Sequence, residues 1–213
     1  HMGVYDLCET DCDTYTMSYK ALLALQSIKG NLTRKIAYYE KGMMAVEKEQ
    51  QELLSDIQTA IDDEQFEIWF QPQFDFSKGS ITGAEALIRW NHPKMGMISP
   101  AVFIPLLEKS DYISRVDKYV IEKTCGYIKK WCSEFPDRGI IPVSVNLSRV
   151  DIYRNDLCMK LSDILKKYGV PTNALHLEIT ESAYMDNTAV FLNTISALRN
   201  NGFIVEMDDF GSG

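Results

Sequence analysis

After residue 64 the sequence alternates short apolar runs with longer stretches whose apolar residues recur at helical spacing. The apolar runs predict strands at 66–70, 80–90, 140–147, 175–180 and 203–207. The longer stretches predict helices at 100–107, 117–135, 149–168 and 187–200. Near-continuous apolar strands separated by helices indicate a parallel sheet covered by helices, as in a (β/α) barrel or a doubly wound sheet.

Acidic or amide residues interrupt or follow four of these runs, at Glu85, Asn146, Glu178 and the pair Asp208-Asp209. A buried carboxylate without a partner costs free energy or takes up a proton. In a parallel barrel the carboxyl ends of the strands converge on one mouth, so these side chains are expected to gather there. Carboxylate and amide oxygens suit Mg²⁺ or Mn²⁺. The alternative is that each is an ordinary strand-end or helix-capping residue.

Two further polar residues belong to the first two predicted strands. Arg89 lies four positions after Glu85, so the two side chains share one face of the strand. A guanidinium beside a metal cluster suits a phosphate group, whereas a salt-bridged surface arginine is the alternative. Gln71, at the end of the first strand, offers an amide to a ligand.

Composition excludes several classes of partner. The chain has 213 residues and a formal net charge of −8, which argues against a face for a DNA or RNA polymer. No apolar run reaches the roughly 20 residues that span a bilayer. Five scattered cysteines indicate reduced thiols rather than a disulfide framework or a zinc site. We therefore expect a cytoplasmic chain, whether or not its parent protein is anchored in a membrane.

The first 64 residues follow a different pattern. A helix is expected at 17–28 and a short strand at 35–39. Residues 42–64 predict one amphipathic helix, which is either a connector or a short dimerising coiled coil.

Six segments in order resemble the EAL domain family of bacterial cyclic-di-GMP phosphodiesterases, over about residues 60–213. They read FEIWFQPQFD (66–75), GAEALIRWNHP (83–93), ISPAVFIPLLE (98–108), VSVNLS (143–148), LHLEITES (175–182) and MDDFGSG (207–213). The tripeptide Glu85-Ala86-Leu87 is the one that gives the family its name.

The resemblance implies a TIM-like barrel whose first strand is antiparallel to its neighbour. It implies hydrolysis of cyclic-di-GMP to linear pGpG with Mg²⁺ or Mn²⁺. By the same resemblance Glu85, Asn146, Glu178 and Asp208 bind metal, and Asp209 contacts a second ion. Glu181 supports the loop after Asp208-Asp209, Arg89 contacts a substrate phosphate, and Gln71 contacts the nucleotide.

The sequence departs from the family pattern after Gly213, where family members continue through a Lys-Ile-Asp motif, a later Glu and a Gln. About five of eight barrel strands are accounted for. We therefore expect a truncated, inactive catalytic fragment whose exposed barrel edges favour a homodimer or completion by a second chain. At Glu206 many relatives have a small residue; either a salt bridge or an altered metal affinity is expected there.

Residues 17–40 resemble, less specifically, the tail of a GGDEF domain. The expected organisation is a GGDEF-tail remnant at 3–41, a connector helix at 42–64 and the N-terminal part of an EAL domain at 65–213. Two other functions stay open: a receptor or scaffold that binds cyclic-di-GMP without cleaving it, and a generic α/β metal hydrolase.

Overall fold

The computed structural model describes residues 1–7, 13–29, 31, 33–180 and 188–208, and of Arg138 and Asp208 it describes the backbone alone. The chain divides into two compact units, His1–Asp56 and Ile57–Gly213. No helix in these ranges is both long and apolar enough to cross a membrane.

The first unit is built from two short parallel strands and a helix. These are β1 (Met2–Val4), α1 (Thr14–Gln26) and β2 (Ile36–Tyr38), followed by the start of α2 (Met43–Asp62). Ala24, Ile28 and Ala37 form its buried core. At Gly3 an added Cβ would lie 2.0 Å from the carbonyl oxygen of Ala21, so the close approach of β1 to α1 requires a glycine.

The second unit holds one mixed sheet and the helices that connect its strands. In chain order the elements are β3 (Phe66–Asp75), β4 (Ser80–His92), β5 (Gly96–Ile98), α3 (Pro100–Glu108), α4 (Ile113–Glu134), β6 (Val143–Asn146), α5 (Arg149–Ile152), α6 (Leu157–Tyr168), β7 (Leu175–Thr180), α7 (Thr188–Asn200) and β8 (Ile204–Asp208). The strand order is β3-β4-β6-β7-β8, with β5 paired to β4.

The direction of the strands matches the predicted barrel pattern. β3 is antiparallel to β4, whereas β4, β6, β7 and β8 run parallel to one another. Parallel strands need helical crossovers, and α3 to α7 supply them. The prediction of a first strand antiparallel to its neighbour is confirmed.

One face of the parallel strands is apolar and buried. Val143 and Val145 of β6 and Leu175 and Leu177 of β7 are all fully buried. Because side chains alternate along a strand, the residues between them point to the opposite face. This alternation places the polar residues discussed below together on one side of the sheet.

The predicted single helix at 149–168 was wrong. The structure has α5, then a break at residues 153–156, then α6. The carboxylate of Asp156 accepts from Arg154 at 3.2 Å and pairs with Lys160 at 2.7 Å. These interactions, together with the turn preference of Asn155-Asp156, stop the first helix and start the second.

Candidate metal and phosphodiester site

Strand register puts the predicted site residues on one face of the sheet. Gln71 of β3 lies opposite Glu85 of β4, and Glu85 lies opposite Ser144 of β6. Asn146, two residues beyond Ser144, lies opposite Glu178 of β7. Residues paired across neighbouring strands share a face, so these side chains all leave the sheet on the side away from the apolar core.

Glu85 and Asn146 meet directly. The Asn146 Nδ2 donates to the Glu85 Oε1 at 2.8 Å, which bridges β4 and β6 near the carboxyl end of β6. Glu178 is 8% exposed and stands beside Asn146 in the register. Two predicted ligands are therefore in contact and a third is their neighbour.

The donor set fits a hard divalent cation. Two oxygens bound to one Mg²⁺ at about 2.0–2.1 Å and at right angles are about 2.9 Å apart. The 2.8 Å between the polar atoms of Glu85 and Asn146 is of that size, and turning the Asn146 amide over would present its oxygen instead of its nitrogen. Among the described side chains, no three of the types His, Cys, Asp and Glu gather into a metal-holding group.

Three predicted residues are described only partly or not at all. Asp208 ends β8 with its backbone opposite Thr180, and its side chain lies outside the described atoms. Asp209 and Glu181 lie outside the described residues.

Arg89 lies on the same face, near the carboxyl end of β4, and contacts an aromatic ring. Its guanidinium carbon is 5.7 Å from the centre of the Trp69 ring, and its Nη1 donates to the Ile88 carbonyl at 2.8 Å. In this arrangement Arg89 does not reach Glu85 through any described hydrogen bond. Among the described residues its charge meets the flat Trp69 ring and no carboxylate, an arrangement that suits an incoming phosphate.

Glu67 organises the neighbourhood of Arg89. Its carboxylate accepts from Trp69 Nε1 and from Asn91 Nδ2, each at 3.0 Å. These hydrogen bonds, first from Trp69 and then from Asn91, hold the pKa of Glu67 below its usual range. Sequence analysis missed this cluster, although the shared strand parity of Glu67, Trp69 and Gln71 was a usable signal.

A second group on the polar face surrounds Glu206. Its Oε1 is 2.8 Å from His176 Nδ1, and its Oε2 accepts from Ser144 Oγ at 3.4 Å. Glu206 Oε1 lies within salt-bridge distance of His176, which agrees with the expected salt bridge when the His176 ring is protonated. The two partners were not identified in the sequence, because they lie on different strands 30 and 62 residues away.

Comparison with known proteins identifies the region that carries these residues. Residues 54–213 match the EAL domain family. The oxygen sensor protein DosP of Escherichia coli is 32% identical over 190 residues, which are 89% of this chain and 24% of that protein. The bifunctional diguanylate cyclase/cyclic di-GMP phosphodiesterase MucR of Pseudomonas aeruginosa is 33% identical over 181 residues, which are 83% of this chain and 25% of that protein.

A solved structure shows the same fold. The phosphodiesterase PaMucR in complex with c-di-GMP superimposes with a TM-score of 0.71 and 30% identity, over 76% of this chain and 65% of that one. The chain spans about a quarter of the length of the curated relatives named above.

Proposed function

Because this chain belongs to the EAL domain family, we propose that the protein containing it hydrolyses cyclic-di-GMP to linear pGpG with Mg²⁺ or Mn²⁺. The observation that carries the proposal is the contact between Glu85 and Asn146, with Glu178 beside it, on the polar face of a parallel sheet. Oxygen donors from separate strands at one face are what a metal-dependent phosphodiesterase needs.

The ligands proposed from the described geometry are Glu85, Asn146 and Glu178. Asp208 and Asp209 join them on the strength of the MDDFGSG motif, and Glu181 is proposed to support their loop. Bound divalent cations lower the pKa of a water and neutralise charge on the phosphodiester. The buried position of Glu178 limits water on that side of the group.

Substrate orientation is proposed to come from β3 and β4. Arg89, lying against Trp69, is proposed to bind a phosphate oxygen with the guanidinium nitrogens that donate to no described residue. The exposed Gln71, opposite Glu85, offers its amide to the nucleotide. In this proposal Gln71 of β3 and Arg89 of β4 orient the substrate, whereas Glu85 of β4 and residues of β6 and β7 bind the metal.

We also propose the domain organisation. Residues 3–41 are the end of a GGDEF domain, residues 42–64 connect it, and residues 65–213 are part of the EAL domain. The 213 residues lack the later Lys, Glu and Gln of the family pattern, so the chain by itself is proposed to be inactive. Its edge strands are proposed to pair with further polypeptide or with a second copy.

Turnover of cyclic-di-GMP by the full-length protein with Mn²⁺ tests the proposal. We expect pGpG to accumulate and Glu85→Gln to lower kcat by about 100-fold or more, because losing one ligand oxygen costs several kcal/mol of charge stabilisation. Glu108→Gln, at an exposed glutamate that ends α3, is the matched control and should retain full activity. Tight binding of cyclic-di-GMP without pGpG would instead identify a receptor.

A further inference from the structure

Two buried aspartates face each other behind the loop that follows β6. Asp117 lies on α4 and is 8% exposed, and Asp151 lies on α5 and is 7% exposed. The negative charge of Asp151 acts on Asp117, and both residues are hydrogen-bonded to Ser148. A carboxyl pair this deeply buried is uncommon unless its charge is removed or shared.

Each aspartate also accepts a hydrogen bond from a serine. Asp117 Oδ2 accepts from the backbone nitrogen of Ser148 at 3.0 Å, and Asp151 Oδ1 accepts from the Ser114 hydroxyl. The Ser148 hydroxyl in turn accepts from the Asp151 backbone nitrogen at 3.3 Å. The pair therefore ties α4 to the first turn of α5 through Ser148.

Burial favours the protonated form of Asp117. Burial raises the pKa of Asp117 from 3.8 to about 7, the hydrogen bonds from Ser148 oppose this rise, and the negative charge of Asp151 adds to it. Two neighbouring carboxyl groups do not readily ionise together. Apart from Asp151, the charged side chains that line the groove beside the pair are Asp111, Arg115, Lys118, Glu122, Arg154, Lys160, Asp163 and Lys167. None of these eight is a cause of the raised pKa of Asp117.

The pair holds the segment that directly follows the candidate ligand Asn146. Asn146 is the last residue of β6, and Ser148 follows two positions later. Between them, the Leu147 nitrogen donates to the Glu178 carbonyl at 2.9 Å. Residues 146–148 are thus fixed on one side by β7 and on the other by Asp117.

We propose that the buried Asp117–Asp151 carboxyl pair is a positioning clamp that holds Asn146 against Glu85 in the candidate metal site. The inference rests on the proposed function, since it takes Asn146 as a ligand. Neither aspartate touches the metal or the substrate; both act through Ser148 and the end of β6. A clamp of this kind matters because a small displacement of a ligand weakens a metal site considerably.

Mn²⁺ affinity, followed by electron paramagnetic resonance of the free ion, and amide exchange at Ser148 test the clamp in this chain. Asp117→Ala removes the acceptor and should weaken Mn²⁺ binding by about 10-fold or more, the effect typical of lost support around a ligand. It should also accelerate exchange at Ser148. Asp117→Asn keeps an acceptor for Ser148 and a donor for Asp151, so both quantities should stay near wild type at pH 7.

The exposed Asp163→Ala on α6 is the control and should change neither quantity. Between pH 6 and 8.5 the Mn²⁺ affinity of the wild type should fall relative to that of Asp117→Asn, because only the wild type loses a proton at residue 117. Mn²⁺ affinity and Ser148 exchange that stay at wild-type values in Asp117→Ala would overturn the clamp. No Mn²⁺ binding by the wild type would instead overturn the metal site itself.

Discussion

Glu206 lies directly opposite Glu178 on the polar face, and its carboxylate is held away from that neighbour by His176 at 2.8 Å and Ser144 at 3.4 Å. Two adjacent carboxylates repel each other. The hydrogen bonds to Glu206 therefore affect how strongly its negative charge acts on Glu178. At the scale of single residues, the polar side chains of this face therefore form two groups. Glu85 and Asn146 are the pair proposed to bind a cation, and Glu206 is hydrogen-bonded to side chains of the neighbouring strands.

Replacing Glu206 tests this division. Glu206→Ala leaves the largely buried His176 ring without its acceptor and is expected to lower the free energy of unfolding by about 1 kcal/mol. Glu206→Gln retains an amide oxygen as acceptor and should lose less than half as much. Urea unfolding at constant pH measures both, and an alanine variant as stable as the wild type would contradict the role given to the pair.

At the scale of helices and strands, the sequence was most informative where a run was long and apolar. The bounds of β7 were predicted residue for residue, and α2 and α7 to within two residues, because their patterns are continuous. The three-residue β1 and β5 were missed, since so short a strand seldom shows periodicity, although the equally short β2 was predicted from the run at 35–39. The Asp117–Asp151 pair was missed because its members are 34 positions apart and meet only through helix packing.

Two glycines, one inside a helix and one at the end of a helix, are expected to change the free energy of unfolding in opposite directions when replaced by alanine. Gly126 lies inside α4, and a Cβ added there would first meet Tyr168 at 3.7 Å, an ordinary contact. Gly126→Ala should therefore raise the free energy of unfolding by about 0.5–1 kcal/mol through helix propensity. Gly169→Ala, at the left-handed C-cap of α6 with φ +69°, should lower it by about 1 kcal/mol. Thermal melting of both variants measures the difference, and a shared sign would contradict the assigned backbone.

The carboxyl pair behind β6 predicts how stability depends on pH. The pKa of Asp117 is raised from 3.8 to about 7, so its stabilising contribution is complete below about pH 4, where the unfolded chain is also protonated. The contribution declines as pH rises and is lost once the folded-state pKa is passed. The stability of the wild type relative to Asp117→Asn should therefore fall between pH 4 and 7.5. Urea unfolding across that range measures it; a constant or rising difference would contradict the raised pKa.

At the scale of the whole chain, the described sheet ends at β3 and β8. Apolar side chains stand exposed on both strands, among them Trp69 and Phe74 on β3 and Ile204 and Met207 on β8, at 40–52% exposure. Unpaired strand edges with apolar residues favour association with more polypeptide. The EAL-type fold was predictable from six ordered motifs, whereas the partner of these edges was not, since pairing between strand edges leaves no periodic pattern in the sequence.

Self-association of the 213-residue chain follows from those edges. We expect its mass in solution to rise above 24.3 kDa as concentration increases, measured by light scattering after size exclusion. Phe74→Lys places a charge on β3 and should shift the sample toward monomer. Glu108→Lys, on α3, is the control that should leave the mass unchanged. A wild-type chain that stays monomeric at all concentrations would show that the edges are not association surfaces.

The central claim is that oxygens from separate strands bind a divalent cation at the polar face, and a crystal grown with Mn²⁺ and cyclic-di-GMP tests it most directly. Anomalous diffraction locates the ion independently of any assumed chemistry. We predict a peak within about 2.3 Å of carboxylate oxygens of Glu85 and Glu178 and of the Asn146 amide oxygen, turned from its present orientation. An ion bound elsewhere, with Asn146 still donating to Glu85, would contradict the account.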